Sequence, residues 1–221
     1  MVTLRRKAVT TGSLYLGLAI AGGLGFLLVR TQLFVASDPA ATLANLVEHE
    51  ALARVGVALE LLVVLTQALA AAWFYRLFRS ADPVGAAGIA AFGLVNAVAI
   101  LVSAALLGTA AELARDPIGD AASTVQVLYL VSGNLWNAGG LFFGLWLIPM
   151  GRCVLRSGWM PRALGWLLVV GGAGYVAGTF VRFLAPEAPA VADALSYLAT
   201  AGEFWMIGYL LIRGVRRTAA M

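Results

Sequence analysis

The sequence is poor in the residues that metal centres and nucleophilic sites use. Its 221 residues include one cysteine, Cys153, one histidine, His49, and one lysine, Lys7. One cysteine excludes an intrachain disulfide, and one histidine cannot supply a pair of haem ligands or a histidine-based zinc site. Lys7 precedes the long apolar runs, so a retinal Schiff base within a membrane is excluded too. No HExxH, CxxC or glycine-rich phosphate loop is present, and we expect no cofactor and no metal.

Charge is also scarce. Charged residues make up 12% of the sequence and hydrophobic residues 62%, with a mean hydropathy of +0.91. A water-soluble domain of this size needs more polar surface, so the composition indicates a chain that lives in lipid. Connections between the apolar runs are too short for a soluble domain. We therefore predict an all-α bundle forming a single transmembrane domain over 1–221, with spans at about 8–29, 52–78, 84–110, 124–151, 162–183 and 194–213.

The basic residues predict the orientation. Eleven of the fifteen lie at the N-terminus, in the second-to-third and fourth-to-fifth connections, and at the C-terminus, where Arg213, Arg216 and Arg217 cluster. Six crossings place all of these segments on one side, and the positive-inside rule makes that side, with both termini, cytoplasmic. Because the basic residues are spread over separate helix ends, the net charge of +4 indicates membrane orientation and not nucleic-acid binding.

One connection predicts a helix of its own. Asp38 is a typical N-cap residue and Pro39 suits the first helical position. Leu43, Leu46 and Val47 then give the segment an apolar face. We expect a short helix on the outer surface that leads into the second span.

Two glutamates interrupt the apolar runs. Glu60 lies in the second predicted span and Glu203 in the sixth. A carboxylate at such a depth costs about 2.5–3.5 kcal/mol, so both side chains should face protein or water. The pattern leaves two interpretations open, a functional polar pocket or structural ion pairs of Glu60 with Arg54 and of Glu203 with Arg182.

Helical phase, at about 100° per residue, places further polar residues on shared faces. Gln67 follows Glu60 by seven residues, and Ser103 follows Asn96 by seven. From their expected depths we predict a polar layer in the outer half of the bundle. The candidate ligand-binding residues are Glu60, Gln67, Asn96, Asn134, Asn137, Arg182 and Glu203. The amides could instead do no more than hydrogen-bond neighbouring helices.

This layer favours a small transporter or ligand-binding membrane protein whose outward-facing pocket takes a small molecule or a proton. A second hypothesis is a structural or regulatory subunit, because Gly140 with Gly144 and Gly174 with Gly178 form small-xxx-small patterns that also suit a homo-oligomer. An intramembrane enzyme using the two carboxylates as acid and base is a third, which the lack of a nucleophile motif disfavours. The lipid bilayer is the partner that all three share.

One stretch resembles a known family. Phe142-Phe-Gly-Leu-Trp-Leu-Ile-Pro-Met-Gly151, Arg156-Ser-Gly-Trp-Met-Pro-Arg-Ala-Leu-Gly165 and Gly171-Gly-Ala-Gly-Tyr175 are similar to the bacterial membrane family known as domain of unknown function 4386. The resemblance implies a six-helix, multi-pass protein of the bacterial inner membrane, and it implies no activity or catalytic residue. The same stretch predicts that Pro149 kinks or ends the fourth predicted span and that Ser157 and Gly158 form a turn. Cys153 is predicted to be a packing residue, because a catalytic thiol needs a histidine partner and His49 is predicted on the other side of the membrane.

Overall fold

The computed structural model describes residues 2–215, and every regular element among them is helical. Arg216 and Arg217, used above for orientation, lie outside the described residues. The elements are α1 (Val2–Gly23), a π-helical turn (Leu24–Val29), α2 (Arg30–Leu33), α3 (Pro39–Glu48), α4 (Glu50–Phe78), α5 (Pro83–Arg115), α6 (Ala121–Ser157), α7 (Arg162–Leu184) and α8 (Pro189–Ile212).

Six helical stretches of the described chain are long and apolar enough to cross a membrane, which confirms the predicted all-α bundle of six spans, whereas the single domain over 1–221 stays a prediction. The chain is therefore a multi-pass membrane protein, and the cytoplasmic placement of its termini stays a prediction. The stretches are Leu4–Leu33, Glu50–Phe78, Pro83–Arg115, Ala121–Ser157, Arg162–Leu184 and Pro189–Ile212.

The short connecting helix is confirmed as α3. The Asp38 carboxylate accepts a hydrogen bond from the backbone N–H of Ala41 at 2.9 Å, and Pro39 occupies the first turn. Leu46 is buried, whereas Val47 is exposed, so the apolar face is narrower than its leucine and valine spacing suggests.

Pro149 does not end the fourth span, which is α6. The proline lies inside α6, which continues to Ser157. A proline removes one backbone donor, and membrane helices tolerate that loss where neighbouring helices re-satisfy the freed groups. Gly158 adopts φ +65, a left-handed conformation that suits glycine after a helix end, so the predicted turn at Ser157 and Gly158 is confirmed.

The helices contribute to two compact units. The Glu60 unit comprises Gly17–Leu65 and Ala97–Trp136, and the Glu203 unit comprises Met1–Leu16, Thr66–Asn96 and Asn137–Met221. Phe34 stacks on Tyr129 in the Glu60 unit at a ring separation of 5.5 Å. The buried core of that unit consists of Val29, Leu33, Leu46, Ala53, Leu107, Ala110, Ala114, Val125 and Tyr129.

Glycines allow close helix packing in the Glu203 unit. A Cβ atom on Gly171 would lie 2.6 Å from the Ala199 Cα, and one on Gly144 would lie 2.7 Å from a methyl carbon of Val176. Contacts this short are sterically forbidden, so these glycines bring α7 against α8 and α6 against α7. A Cβ atom on Gly174 would likewise clash with the backbone carbonyl oxygen of Leu195 on α8, so the glycine patterns at Gly144 and Gly174 are used within the chain, and a homo-oligomer stays a prediction.

Candidate functional site

The Glu60 unit contains a buried polar cluster centred on Glu60, whose side chain is 6% exposed. One carboxylate oxygen, Oε1, accepts hydrogen bonds from Trp136 Nε1 at 2.8 Å and from Ser103 Oγ at 3.1 Å. Ser103 Oγ lies 2.8 Å from Ser132 Oγ, close enough for either hydroxyl to donate. Because α4, α5 and α6 each supply a side chain, the carboxylate joins three membrane-spanning helices.

Arg30 extends this cluster from the first span. Its Nη1 donates to Ser132 Oγ at 3.1 Å, and its Nη2 donates to the carbonyl oxygen of Tyr129 at 2.5 Å. The guanidinium carbon also lies 5.2 Å from the ring centre of Phe34 and 5.4 Å from that of Tyr129, within the range of cation–π attraction. A row of hydrogen bonds thus runs from Arg30 through two serine hydroxyls to Glu60.

Two local features place the Arg30 guanidinium. The π-helical turn Leu24–Val29 directly precedes Arg30, and such turns change the helical phase of the residues that follow them. Gly133 provides the space, since a Cβ atom there would lie 2.8 Å from Arg30 Nη2. The position of the guanidinium therefore depends on the backbone of the π-helical turn and on the absence of a side chain at Gly133.

The second carboxylate oxygen of Glu60, Oε2, does not take part in these hydrogen bonds. Oε2 is buried and has no hydrogen-bond partner among the described residues. A cavity of about 20 Å³ is lined by Glu60 and Arg30, with Gly56 and Tyr129 among its other walls. One water molecule needs about 10–15 Å³, so the cavity has room for a single water beside a carboxylate and a guanidinium.

The Glu203 unit holds separate polar contacts. Tyr15 Oη donates to Glu203 Oε1 at 2.5 Å, and Asn96 Nδ2 donates to Gln67 Oε1 at 2.9 Å. Gln67 and Asn96 are fully buried, and Gln67 Nε2 and Asn96 Oδ1 have no partner among the described residues. A Cβ atom on Gly139 would lie 2.7 Å from Asn96 Oδ1, so this glycine leaves room for the amide.

The predicted site residues divide by their contacts. Glu60 joins Ser103, Gln67 joins Asn96, and Glu203 joins Tyr15. Glu60 and Gln67 are seven residues apart on α4, and their partners Ser103 and Asn96 are seven apart on α5, which matches two antiparallel helices meeting along their predicted polar faces.

The remaining predicted residues lie outside these contacts. Asn134 is exposed and Asn137 is half-buried. Arg182 Nη2 binds Asp193 Oδ1 at 2.6 Å, with both side chains substantially exposed. All seven predicted residues, including Glu60, Gln67, Asn96 and Glu203, remain candidates for ligand binding, and that role stays a prediction.

Neither ion pair that the sequence suggested for the glutamates is formed. Arg54 pairs with Glu50, four residues before it, and Arg182 pairs with Asp193. The carboxylates of Glu60 and Glu203 instead accept hydrogen bonds from neutral donors, a tryptophan and a serine in one unit and a tyrosine in the other.

Sequence reasoning missed four residues of these contacts, namely Arg30, Ser132, Trp136 and Tyr15. Arg30 reads as a charge at the outer end of the first span, and Trp136 and Tyr15 read as apolar packing residues. Trp136 and Ser132 follow the helical spacing i and i+4, which could have indicated a polar face on α6. No comparable signal identifies Tyr15.

The chemistry of the Glu60 cluster suits a proton. Serine hydroxyls both donate and accept, so the bonds between Ser132 and Ser103 and between Ser103 and Glu60 can reverse direction, whereas Arg30 only donates. No group of three or more metal-ligating side chains occurs among the residues that the structure describes. The cluster therefore combines one ionisable carboxylate, one guanidinium and two reorientable hydroxyls.

Comparison with known proteins gives a family and no activity. The family described as Domain of unknown function (DUF4386) matches residues 10–214. A stretch of 50 residues, 23% of the chain, is 36% identical to an uncharacterized protein of Archaeoglobus fulgidus and spans 31% of that protein's length. No solved structure matches.

Proposed function

The chain belongs to the DUF4386 family, and from that premise and the Glu60 cluster we propose that it is a small membrane transporter that takes up and releases a proton at Glu60. One observation carries the proposal. Glu60 Oε2 is buried, has no hydrogen-bond partner among residues 2–215, and lies beside a cavity that Arg30 also lines. An intramembrane carboxylate placed in this way is a typical site of proton binding in transporters.

The two forms of Glu60 have different requirements. A charged carboxylate needs a compensating cation, and Arg30 is the cation that lines the same cavity. A neutral carboxyl can donate a hydrogen bond from Oε2, and a water in the cavity would accept it. Arg30 and Tyr129 are the charged and titratable groups that interact electrostatically with Glu60. Proton exchange would therefore alter the contacts of Arg30 and, through it, the packing of α2 against α6.

The cavity size limits the bound species in this conformation. A volume of about 20 Å³ admits one water and excludes an organic solute. A solute would enter only when the cluster opens, on the outward-facing side that the sequence predicts. Placement in a bacterial inner membrane, with a proton gradient across it, belongs to the same proposal.

Proton flux into vesicles tests the proposal. Purified protein is reconstituted into vesicles that contain a pH-sensitive dye, and an outside-acid pH step is imposed in the presence of a potassium ionophore. We expect wild-type protein to acidify the interior faster than protein-free vesicles, and Glu60→Gln to return the rate to that background. Glu48→Gln is the matched control, because Glu48 is exposed at the end of α3.

Two outcomes would overturn the proposal. Equal acidification by wild-type and Glu60→Gln protein would remove Glu60 from the pathway. A wild-type rate equal to that of protein-free vesicles would show that the protein moves no proton under this gradient.

A further inference from the structure

A second concave surface lies at the C-terminal end of α8, within the Glu203 unit. It is an open groove of about 670 Å³, lined by Pro161, Trp205, Gly208, Tyr209, Ile212 and Arg213. This volume falls in the range of about 300–1,000 Å³ that small-ligand sites occupy. We call it the α8 groove.

One face of α8 forms most of the groove. Trp205, Gly208, Tyr209 and Ile212 follow the spacing i, i+3, i+4 and i+7, which places them on the same side of a helix. Gly208 forms the floor, because no atom of residues 2–215 lies within 4 Å of the position that its Cβ would take. Trp205 is 41% exposed and Ile212 is 76% exposed, so the walls present apolar surface to the surroundings.

The groove has a charged end and a fixed wall. Arg213 directly follows the last residue of α8 and is the charged residue that lines the groove. Arg213 is exposed and takes part in none of the ion pairs found among residues 2–215. Tyr209 Oη donates to the carbonyl oxygen of Trp159 at 3.4 Å, which links this face of α8 to the connection between α6 and α7.

We infer that the α8 groove binds one anionic phospholipid, with an acyl chain over Gly208 and the phosphate on Arg213. The groove is open along a membrane-spanning helix, where acyl chains surround the protein, and its apolar walls match such a chain. Arg213 stands at the helix end, where a guanidinium reaches the headgroup layer and binds phosphate through paired N–H donors. Among residues 2–215, no acidic residue that would repel the phosphate lines the groove.

This site is independent of the proton proposal. The α8 groove belongs to the Glu203 unit, whereas Glu60 and its partners belong to the Glu60 unit. The neutral variant Glu60→Gln should therefore keep the lipid preference of the wild-type protein even where it loses proton flux.

Lipid competition tests the inference. Purified protein in detergent is mixed with equal amounts of phosphatidylglycerol and phosphatidylcholine, and native mass spectrometry measures which lipid remains bound. We expect the wild-type protein to retain phosphatidylglycerol preferentially. Arg213→Gln should reduce that preference about fivefold, which corresponds to about 1 kcal/mol for one basic residue near a membrane surface.

Two variants separate charge from shape. Arg79→Gln removes another exposed arginine that does not line the groove, and it should leave the preference unchanged. Gly208→Leu fills the groove floor and should lower retention of both lipids, whereas Gly23→Leu, also made where a Cβ meets nothing within 4 Å, should not. Absence of a preference in the wild type, an unchanged preference in Arg213→Gln, or an equal loss in Arg79→Gln would each overturn the inference.

Discussion

Tyr15 and Glu203 are joined by a hydrogen bond of 2.5 Å although 188 residues separate them in the sequence. The bond explains how α8 carries a carboxylate within an apolar run, since the tyrosine hydroxyl replaces a water that the membrane interior would not supply. Within the Glu203 unit, the bond also holds α1, which belongs to the first of the six spans, against α8, which is the sixth.

Removal of the Tyr15 hydroxyl should destabilise the protein. Tyr15→Phe keeps the ring that packs edge-on against Phe74 and Trp146, each at 5.5 Å, and removes only the donor to Glu203. We expect a loss of about 1–3 kcal/mol in the free energy of unfolding, because the half-buried Glu203 carboxylate loses its hydrogen-bond donor within an apolar run. Thermal unfolding in detergent, followed by fluorescence, measures the effect. Tyr75→Phe, at an exposed ring, is the control, and equal midpoints for the two variants would contradict the expectation.

A methyl group on Gly133 should displace Arg30. The new Cβ would lie 2.8 Å from Arg30 Nη2, so Gly133→Ala should cost about 1–3 kcal/mol in stability. In an Arg30→Gln background, where the shorter side chain leaves this space, the same substitution should cost less. A double-mutant cycle on unfolding midpoints measures the coupling, and additive losses would show that Gly133 does not serve Arg30.

Packing of α7 on α8 should depend on Gly171. A methyl group there would lie 2.6 Å from the Ala199 Cα, and backbone cannot move aside as a side-chain tip can. Gly171→Ala should therefore lower the unfolding midpoint, with a cost of about 1–3 kcal/mol. Gly208→Ala is the matched control on α8, since its Cβ meets nothing within 4 Å. A lower midpoint for the control than for Gly171→Ala would refute this interpretation.

The Asp82 carboxylate should stabilise the protein at neutral pH and lose its effect in acid. It lies in the turn between α4 and α5, outside the spans, where it accepts from Gly85 N–H at 3.1 Å and from Arg152 Nε at 2.8 Å. Burial favours its neutral form, but these hydrogen bonds and the charges of Arg152 and Arg156 outweigh burial and lower the pKa of Asp82. A lowered pKa stabilises the folded state above the unfolded value of about 3.9, and this contribution disappears as pH falls through the folded value.

Asp82→Asn tests this pH dependence. At pH 7 the variant should lose about 1–2 kcal/mol, since both arginines are about half exposed and their attraction is screened. The difference from wild type should close as pH falls below about 3.9. Asp193→Asn, which breaks the more exposed pair with Arg182, should cost less at pH 7. A wild-type advantage that persists unchanged into acid would contradict the assignment of the effect to ionised Asp82.

The sequence predicts the spans and part of the cluster because both depend on regular helical geometry. Apolar length is sufficient for six spans, and a seven-residue spacing is sufficient to pair the polar faces of α4 and α5 at Ser103 and Asn96. The cap at Asp38 is equally local, since a side chain and the backbone three residues later form it.

The remaining contacts depend on features that periodicity does not encode. Helical phase predicts the direction of a side chain only in a regular α-helix, and the π-helical turn before Arg30 changes that direction. Asn134 illustrates a second reason. Its spacing from other polar residues on α6 predicted that it belongs to the polar layer, but its side chain is exposed. Tyr15 binds Glu203 through the far end of a side chain whose ring is otherwise a packing group.

The π-helical turn has a consequence for comparing sequences of this family. A π-helical turn advances less per residue than the roughly 100° of a regular α-helix, so its six residues rotate the chain about as far as five α-helical residues would. Loss of one residue between Leu24 and Val29 would therefore convert the turn into regular α-helix and keep Arg30 facing Ser132 and the Tyr129 carbonyl. An alignment would record the change as a single gap inside an apolar run. Two relatives that differ by this one residue would then both bring the arginine of the first span to the buried carboxylate, one through a π-helical turn and the other through a regular helix.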